Sequence, residues 1–431
     1  MFDLKIIQKE IIEQYLEEDS RPWIIGFSGG KDSTMLLQIV WYALKSIPTK
    51  SLRRKIYVVC NNTLVENPKI LEYTDKVLKK IEKSALEQSL PIMVHRTQPQ
   101  LEDSFWVNLI GKGYPAPNNS FRWCTERLKI NPTTKFILEK ISETGEVIIL
   151  LGTRYSESVN RANSLAKHER SGRILKKHVL PNAYVYTPIQ NIITEDVWTY
   201  LLQVPSPWHS SNKELVTIYR TADGGDCPLV IDKSTPSCGN SRFGCWVCTV
   251  VTKDKSMEGL IENGEEWMEP LLEIREYLNF TRYDRDSRLP YRRSGAEGVG
   301  PYKSEVRKNI LEKVLLAQKE IQVNQPNIEL VLYQELVAIQ VLWYRDNIFD
   351  FSVSDIYNSI YGTTISFSEK FNGLKLEKDL LNEVCKESPE DFKLILDLIT
   401  IQKTRSMLLN KRGLNNDFDT KLSRYISEKV G

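Results

Sequence analysis

Apolar residues fall into two alternating rhythms over the first two hundred positions. Unbroken runs lie at 24–27, at Ile56-Tyr57-Val58-Val59-Cys60, at Ile92-Met93-Val94 and at Val147-Ile148-Ile149-Leu150-Leu151. Short continuous runs rich in β-branched residues predict strands buried on both faces. Between them the spacing changes to three and four. Leu36, Val40, Ala43, Leu44 and Ile47 predict a helix over 33–47, and residues 69–84 read the same way. Strands separated by helices predict βαβ units, so the expected fold is α/β with a Rossmann-like parallel sheet. In such sheets ligands gather at the carboxyl ends of the strands. Thr187-Pro188-Ile189 predicts one more strand, and Glu195-Asp196-Val197-Trp198 a helix start with a buried Trp.

The rhythm then breaks. Residues 205–260 are rich in Pro, Gly, Ser and Cys and show weak periodicity, so they read as a loop-built segment that needs a local staple. Residues 275–308 are polar, basic and glycine-containing, and helical patterns follow at 304–322, 328–346, 376–387 and 390–411. With 431 residues the chain exceeds one compact core. The expected division is 1–204, an α/β domain; 205–303, a Cys-rich and basic segment; and 304–431, a helical domain.

Net charge is +2, so bulk charge selects no class of partner and any nucleic-acid contact must come from local patches. No apolar run reaches membrane-spanning length, and the first 22 residues read as a charged amphipathic helix rather than a signal peptide. A cytoplasmic protein without membrane contact is expected, in which clustered cysteines read as metal or redox ligands rather than disulfides.

Three stretches carry chemistry. Ser28-Gly29-Gly30-Lys31-Asp32-Ser33-Thr34 lies between a strand and a helix. Its glycines allow a tight turn with bare N–H groups, the helix start adds the positive end of its dipole, Lys31 adds a full charge, and Ser28, Ser33 and Thr34 add hydroxyls. This is an anion cradle, but neither G-x-x-x-x-G-K-[ST] nor G-x-G-x-x-G. Gly152-Thr153-Arg154-Tyr155-Ser156-Glu157-Ser158-Val159-Asn160-Arg161 follows the strand ending at Leu151, and Arg154 and Arg161 suit bidentate bonds to phosphate. Cys238-x6-Cys245-x2-Cys248 offers three thiolates on a loop. Zinc or a cubane cluster needs a fourth; Cys124 in FRWCTERLKINP is the better candidate and Cys227 the competitor. Cys60 and Cys385 read as buried small hydrophobes. His95, His168, His178 and His209 show no metal spacing.

The glycine loop resembles the SGGxDS loop of the PP-loop ATP pyrophosphatases, and GTRYSESVNR resembles a stretch of their phosphoadenylylsulfate reductase branch. Together with RWCTERLK and RFGCWVC, these stretches resemble the DndC-type sulfurtransferases of bacterial DNA phosphorothioation systems, over roughly residues 20–300. The resemblance implies that ATP, with Mg²⁺, is bound by Ser28, Gly29, Gly30, Lys31, Asp32, Ser33 and Thr34. It further implies catalysis by Lys31, Asp32, Arg154 and Arg161, and a [4Fe-4S] cluster on Cys124, Cys238, Cys245 and Cys248. The implied partners are DNA, a cysteine desulfurase as sulfur donor, and other proteins of the system. Asn61 and Asn62 stand where the reductase branch often carries an acid, so no role is assigned there. The alternatives are a phosphoadenylylsulfate reductase, whose late nucleophilic cysteine motif is missing; a tRNA thiolase; and a non-catalytic DNA-binding scaffold. Two basic stretches suit a nucleic-acid backbone. One is 161–177, with Arg161, Lys167, Arg170, Arg173, Lys176 and Lys177; the other is 275–308, with interleaved Tyr277, Phe280, Tyr283, Tyr291 and Tyr302.

Overall fold

The structure, a computed structural model, describes residues 3–157, 174–222, 244–292, 297–366, 372–406 and 414–430. Arg161, Cys227 and Cys238 lie outside the described residues, as does the basic stretch up to residue 173. The chain forms two compact units: Met1–Gln100 with Pro117–Leu272, and Leu101–Ala116 with Glu273–Gly431.

The first unit is a six-stranded sheet clad by helices. Its chain order is α1 (Leu4–Leu16), β1 (Trp23–Gly26), α2 (Lys31–Lys45), β2 (Ile56–Asn61), α3 (Pro68–Glu87), β3 (Ile92–Thr97), a short α4 (Trp123–Thr125), α5 (Asn131–Thr144), β4 (Val147–Leu150), β5 (Lys176–Lys177), β6 (Ala183–Tyr186), α6 (Thr194–Gln203), α7 (Asn212–Ala222) and α8 (Lys255–Glu262). Strand order is β3-β2-β1-β4-β6-β5, all parallel except the two-residue β5. All four residues of β1 and of β4 are buried, as continuous apolar runs in a two-sided sheet require. Ile24 pairs with Tyr57 on one side and Ile149 on the other. The four strands expected from the apolar runs are present, and the α/β parallel-sheet class holds.

Local sequence sets the helix ends. Asn67 caps α3 by accepting from the Lys69 N–H at 3.0 Å, and Pro68 fills the first helical position, where its missing N–H costs nothing. Tyr73, Val77, Leu78, Ile81 and Ala85 form the buried stripe of α3. Gly145, at φ +84°, ends α5 with its N–H on the Ile141 carbonyl.

Two details of this unit depart from the sequence reading. The strand after β4 lies at Ala183–Tyr186, and Thr187–Gln190 is a turn, closed from the Gln190 N–H to the Thr187 carbonyl. Pro188 has no N–H to give a ladder, so pairing stops before it. Trp198 is only half-buried, its ring edge-on to Tyr219 at 4.9 Å.

In the second unit, Val107–Gly111 is a buried π-helical turn. Around it are α9 (Glu269–Thr281), α10 (Ser304–Asn324), α11 (Tyr333–Arg345), α12 (Val353–Tyr361), α13 (Asn372–Val384), α14 (Pro389–Ser406) and α15 (Leu414–Val430). Here α12 and α15 were not expected, and α9 runs into the start of the basic, glycine-containing stretch, where no helix was expected. Cys60 is buried in β2, and burial raises its thiol to about 12. Cys385 is not buried as expected: it sits half-exposed in the turn after α13. No helix among the described residues is long and apolar enough to cross a membrane.

Candidate functional site

The connections leaving β1 and β4 run to opposite sides: β1 leads to β2, and β4 to β6. A doubly wound sheet opens a crevice at such a point, beyond the carboxyl ends of the two strands. Ser28–Ser33 follows β1 and Gly152–Arg154 follows β4, so the two stretches singled out in the sequence meet there. Gly152 brings them together: a Cβ on it would stand 3.0 Å from the backbone carbon and oxygen of Asp32 and 3.2 Å from the Ser33 nitrogen. Only glycine permits that approach.

The glycine loop is internally braced. Gly29 has φ +76°, and a side chain there would strike the Thr74 hydroxyl at 2.7 Å. Gly30 caps α2 with no side-chain hydrogen bond. The Ser33 hydroxyl donates to the Gly30 carbonyl at 3.1 Å, accepts from the Ser28 N–H at 3.3 Å and lies 3.1 Å from the Ser28 hydroxyl. Thr34 is buried in the first turn of α2. The Lys31 N–H donates to the Tyr219 hydroxyl at 3.2 Å.

Behind the loop lies a buried charged trio. Lys31 Nζ is 3.1 Å from Asp32 Oδ2 and 5.2 Å from the centre of the Tyr219 ring. Arg154 Nε donates to Asp32 Oδ1 at 2.5 Å. Its Nη1 donates to the Ser156 hydroxyl at 2.7 Å, the Ile192 carbonyl at 3.0 Å and the Thr194 hydroxyl at 3.3 Å. Asp32 thus joins one cation from each loop, and the trio carries one net positive charge. Arg154 is almost wholly buried and acts here as a cross-link between the ends of β1 and β4.

In front of the loop is a cleft partly open to solvent. Ser28, Gly29 and Gly30 form one end. Asn61, Asn62, Glu66, Arg96 and Lys129 form the other, with Ile70, Leu215 and Tyr219 among the walls.

One candidate sulfur ligand, Cys245, pairs across a β-bridge with Glu66, which lines the cleft, and Cys248 follows it. The segment Gly244–Trp246 pairs antiparallel with Val65–Asn67: the Trp246 N–H donates to Val65 O at 3.0 Å, and the Asn67 N–H to Gly244 O at 3.2 Å. Trp246 and Val247 are buried, which anchors the segment and leaves Cys245 and Cys248 half-exposed. The Cys248 N–H closes a turn onto Cys245 O at 3.0 Å. Cys245 Sγ is 3.3 Å from the Thr63 hydroxyl, which donates to Glu66 Oε1 at 2.8 Å. Burial pushes the Cys245 thiol well above its ordinary value, and the charges of Glu66 and Cys124 push the same way; Lys129 and the Thr63 hydroxyl oppose them. Cys124, 121 positions earlier, is therefore near enough to be felt. It stands on α4, and the following π-helical turn Glu126–Ile130 is tied to β2 by the Asn61 side-chain amide donating to Leu128 O at 2.9 Å.

Among the described residues no three His, Cys, Asp or Glu side chains form a metal site. The donor chemistry fits a thiolate-held metal group nonetheless: the charge of Cys124 is felt at Cys245, and Cys248 is one turn on. A nucleotide's phosphates likewise fit a cradle that a Cβ on Gly29 or Gly152 would disturb. The sequence reading assigned no role to Thr63, Glu66, Arg96, Lys129 or Tyr219. Thr63 and Glu66 follow β2 and Lys129 lies near Cys124, but Arg96 inside β3 and Tyr219 on α7 carried no advance signal.

The family described as phosphoadenosine phosphosulfate reductase domain matches residues 22–251. An uncharacterized protein of Methanocaldococcus jannaschii is 30% identical over 198 residues, 46% of this chain; the chain spans only 35% of that relative's length. Two solved structures are similar: phosphoadenylyl-sulfate (PAPS) reductase from Candida auris in its phosphate complex (11% identity, 50% of this chain and 90% of that one, TM-score 0.30), and the U34-tRNA thiolase NcsA of Methanococcus maripaludis with its [4Fe-4S] cluster (15% identity, 64% and 80%, TM-score 0.26). Since the family match spans more than half of the chain and includes both loops of the crevice and the Cys245 segment, the chain belongs to the phosphoadenosine phosphosulfate reductase domain family.

Proposed function

We propose that this protein is an ATP-consuming sulfurtransferase of a DNA phosphorothioation system. In this reading it adenylates a backbone phosphate oxygen, which sulfur then replaces. The observation that carries the reading is a cleft lined by the anion-cradling glycine loop and by Glu66, with Cys245 directly behind Glu66, across a β-bridge and the Thr63 hydroxyl. That pairing suits a reaction needing both a nucleotide and sulfur.

A phosphate oxygen is a poor leaving group. Its attack on the α-phosphorus of ATP would form a new P–O bond, break the α–β bond and release pyrophosphate. Sulfur supplied at the sulfide level would then form a P–S bond as AMP departs, with no net oxidation. The N–H groups of the glycine loop and Lys31 Nζ would bind the β- and γ-phosphates and stabilise the departing pyrophosphate, with Mg²⁺ arriving on the nucleotide. Asp32 would hold Lys31 in place and Arg154 would hold Asp32, while Arg161, on the same stretch, would reach phosphate oxygens. Cys124, Cys238, Cys245 and Cys248 would hold a [4Fe-4S] cluster, which when bound would supply one-electron redox chemistry and cross-link the segments that carry them. A cysteine desulfurase is the proposed sulfur donor; it delivers persulfide sulfur, which a thiol reductant, itself oxidised to a disulfide, brings to the sulfide level, and other proteins of the system are the partners.

Two measurements test this. Anaerobically purified protein with ATP and DNA should release pyrophosphate and AMP. Cells carrying the gene with its partner genes should yield phosphorothioate dinucleotides on nuclease digestion, detected by mass spectrometry. New sulfur in tRNA nucleosides, with none in DNA, overturns the acceptor in favour of a thiolase. Absence of pyrophosphate release overturns the ATP chemistry.

A further inference from the structure

Two cations, Lys129 and Arg96, line the cleft together with the carboxylates of Glu66 and Asp75, and neither the ATP reading nor the cluster reading uses these cations. Lys129 stands on the π-helical turn Glu126–Ile130, whose position is fixed by the Asn61 amide on Leu128 O. Its charge is felt at Cys245, where it opposes the effect of burial on the thiol. Arg96 stands on β3; its guanidinium is set by Asp75 at 2.5 Å, and both side chains remain more than one-third exposed. Asn61 and Asn62, neutral amides, line the same cleft. The anionic groups facing the same space are Glu66 and Asp75. Asp75 offsets Arg96 in part and holds it in one orientation, so that a phosphate would meet a pre-aimed fork.

We propose that Lys129 and Arg96 form a second anion site, which takes a backbone phosphodiester of the acceptor DNA and holds it between the glycine loop and Cys245. The assignment rests on the DNA reading above. The placement follows from what the transfer requires: the acceptor phosphate must reach the nucleotide's α-phosphorus from the side opposite the departing pyrophosphate, and the sulfur must reach that acceptor next. With the β- and γ-phosphates on the glycine loop, the far end of the cleft meets both conditions. It differs from the two basic stretches evident in the sequence. Of those, Lys176 is buried in β5 with its ammonium on the Gln190 side-chain oxygen at 2.9 Å.

The test is fluorescence anisotropy of an end-labelled DNA oligonucleotide against the full chain over a salt series, with ATP affinity measured in parallel by calorimetry. Lys129→Ala and Arg96→Ala should each weaken DNA binding about tenfold and flatten the log–log salt dependence by about 0.7–0.9, the loss of one phosphate contact. Lys129→Arg should restore most of the affinity. ATP affinity should fall by less than DNA affinity in every variant. Unchanged DNA affinity and salt slope in both alanine variants, with wild-type protein binding DNA, overturns the second site and leaves the proposed function standing. A fall in ATP affinity as large as that in DNA affinity gives Lys129 and Arg96 to the nucleotide and overturns it as well. Wild-type protein that releases pyrophosphate but binds no DNA overturns the DNA reading itself, and this site with it.

Discussion

In the helical unit the buried guanidinium of Arg307 donates to the carbonyls of Ile110, at 2.7 Å, and of Gly111, and pairs with Asp346 at 3.0 Å. Trp343 donates to Ile110 O and Trp106 to Leu330 O. The Gln318 side-chain oxygen accepts from the N–H groups of Leu330 and Val331, while its amide donates to Tyr361. These groups all satisfy backbone that irregular turns leave without partners inside the unit. In the sheet unit the buried guanidinium of Arg154 also donates to a carbonyl, but its shortest bond is to Asp32, which in turn holds Lys31 behind the glycine loop. Equal burial thus serves two ends. Both guanidiniums bind a carbonyl and a carboxylate; the difference is that Asp32 also holds Lys31 beside an open cleft, where that charge can meet a ligand.

The largest expected effect comes from removing the readied charge itself. Lys31→Ala should cut pyrophosphate release by about 10²–10³-fold or more, the scale for losing a group that stabilises developing charge. Its near-ultraviolet circular dichroism should stay at the wild-type level. Release within a few-fold of wild type would erase the distinction between the two units.

A matched pair sharpens it. Arg154→Leu and Arg307→Met each remove a buried guanidinium from a carboxylate that keeps a second cation, Lys31 or Arg345, and each should cost about 1–3 kcal/mol in urea unfolding. Only Arg154→Leu should also raise the KM for ATP, because Asp32 then loses its anchor. Equal ATP kinetics in the two variants would make Arg154 a structural group like Arg307.

Gln318→Leu leaves two buried N–H groups unsatisfied and should cost about 1–3 kcal/mol with no change in ATP turnover. A loss below about 0.5 kcal/mol would mean the turn at Leu330 finds other acceptors.

The smallest effect is at the edge of the sheet unit. Burial would raise the Asp19 carboxyl, but hydrogen bonds from Arg21 and Arg54 outweigh it and bring it down to about 2 from 3.8. A depressed carboxylate contributes stability above its unfolded value and loses it as pH falls. Asp19→Asn should therefore lower stability at neutral pH and flatten the wild-type decline between about pH 4 and pH 2. An unchanged acid limb would show that these bonds persist in the unfolded chain.

The sequence by itself determined the sheet's parallel core, because strands buried on both faces must be continuously apolar and the helices between them must repeat every three to four residues. It also determined the glycine loop: that chemistry is local, with the strand, the two glycines, Lys31 and the helix start all within a dozen positions. It missed α12 and α15, whose patterns were not picked out. It also set one strand a few residues late, at Thr187–Ile189, where Pro188 in fact ends the ladder rather than joining it. Only the tertiary structure decided how the site closes. That Gly152 packs on the Asp32 backbone, that Arg154 turns inward to Asp32, and that Thr63, Glu66 and Lys129 surround Cys245 are all set by strand order. Strand order brings residues more than a hundred positions apart to neighbouring carboxyl ends, and no local spacing encodes which of two neighbours a charged side chain will face.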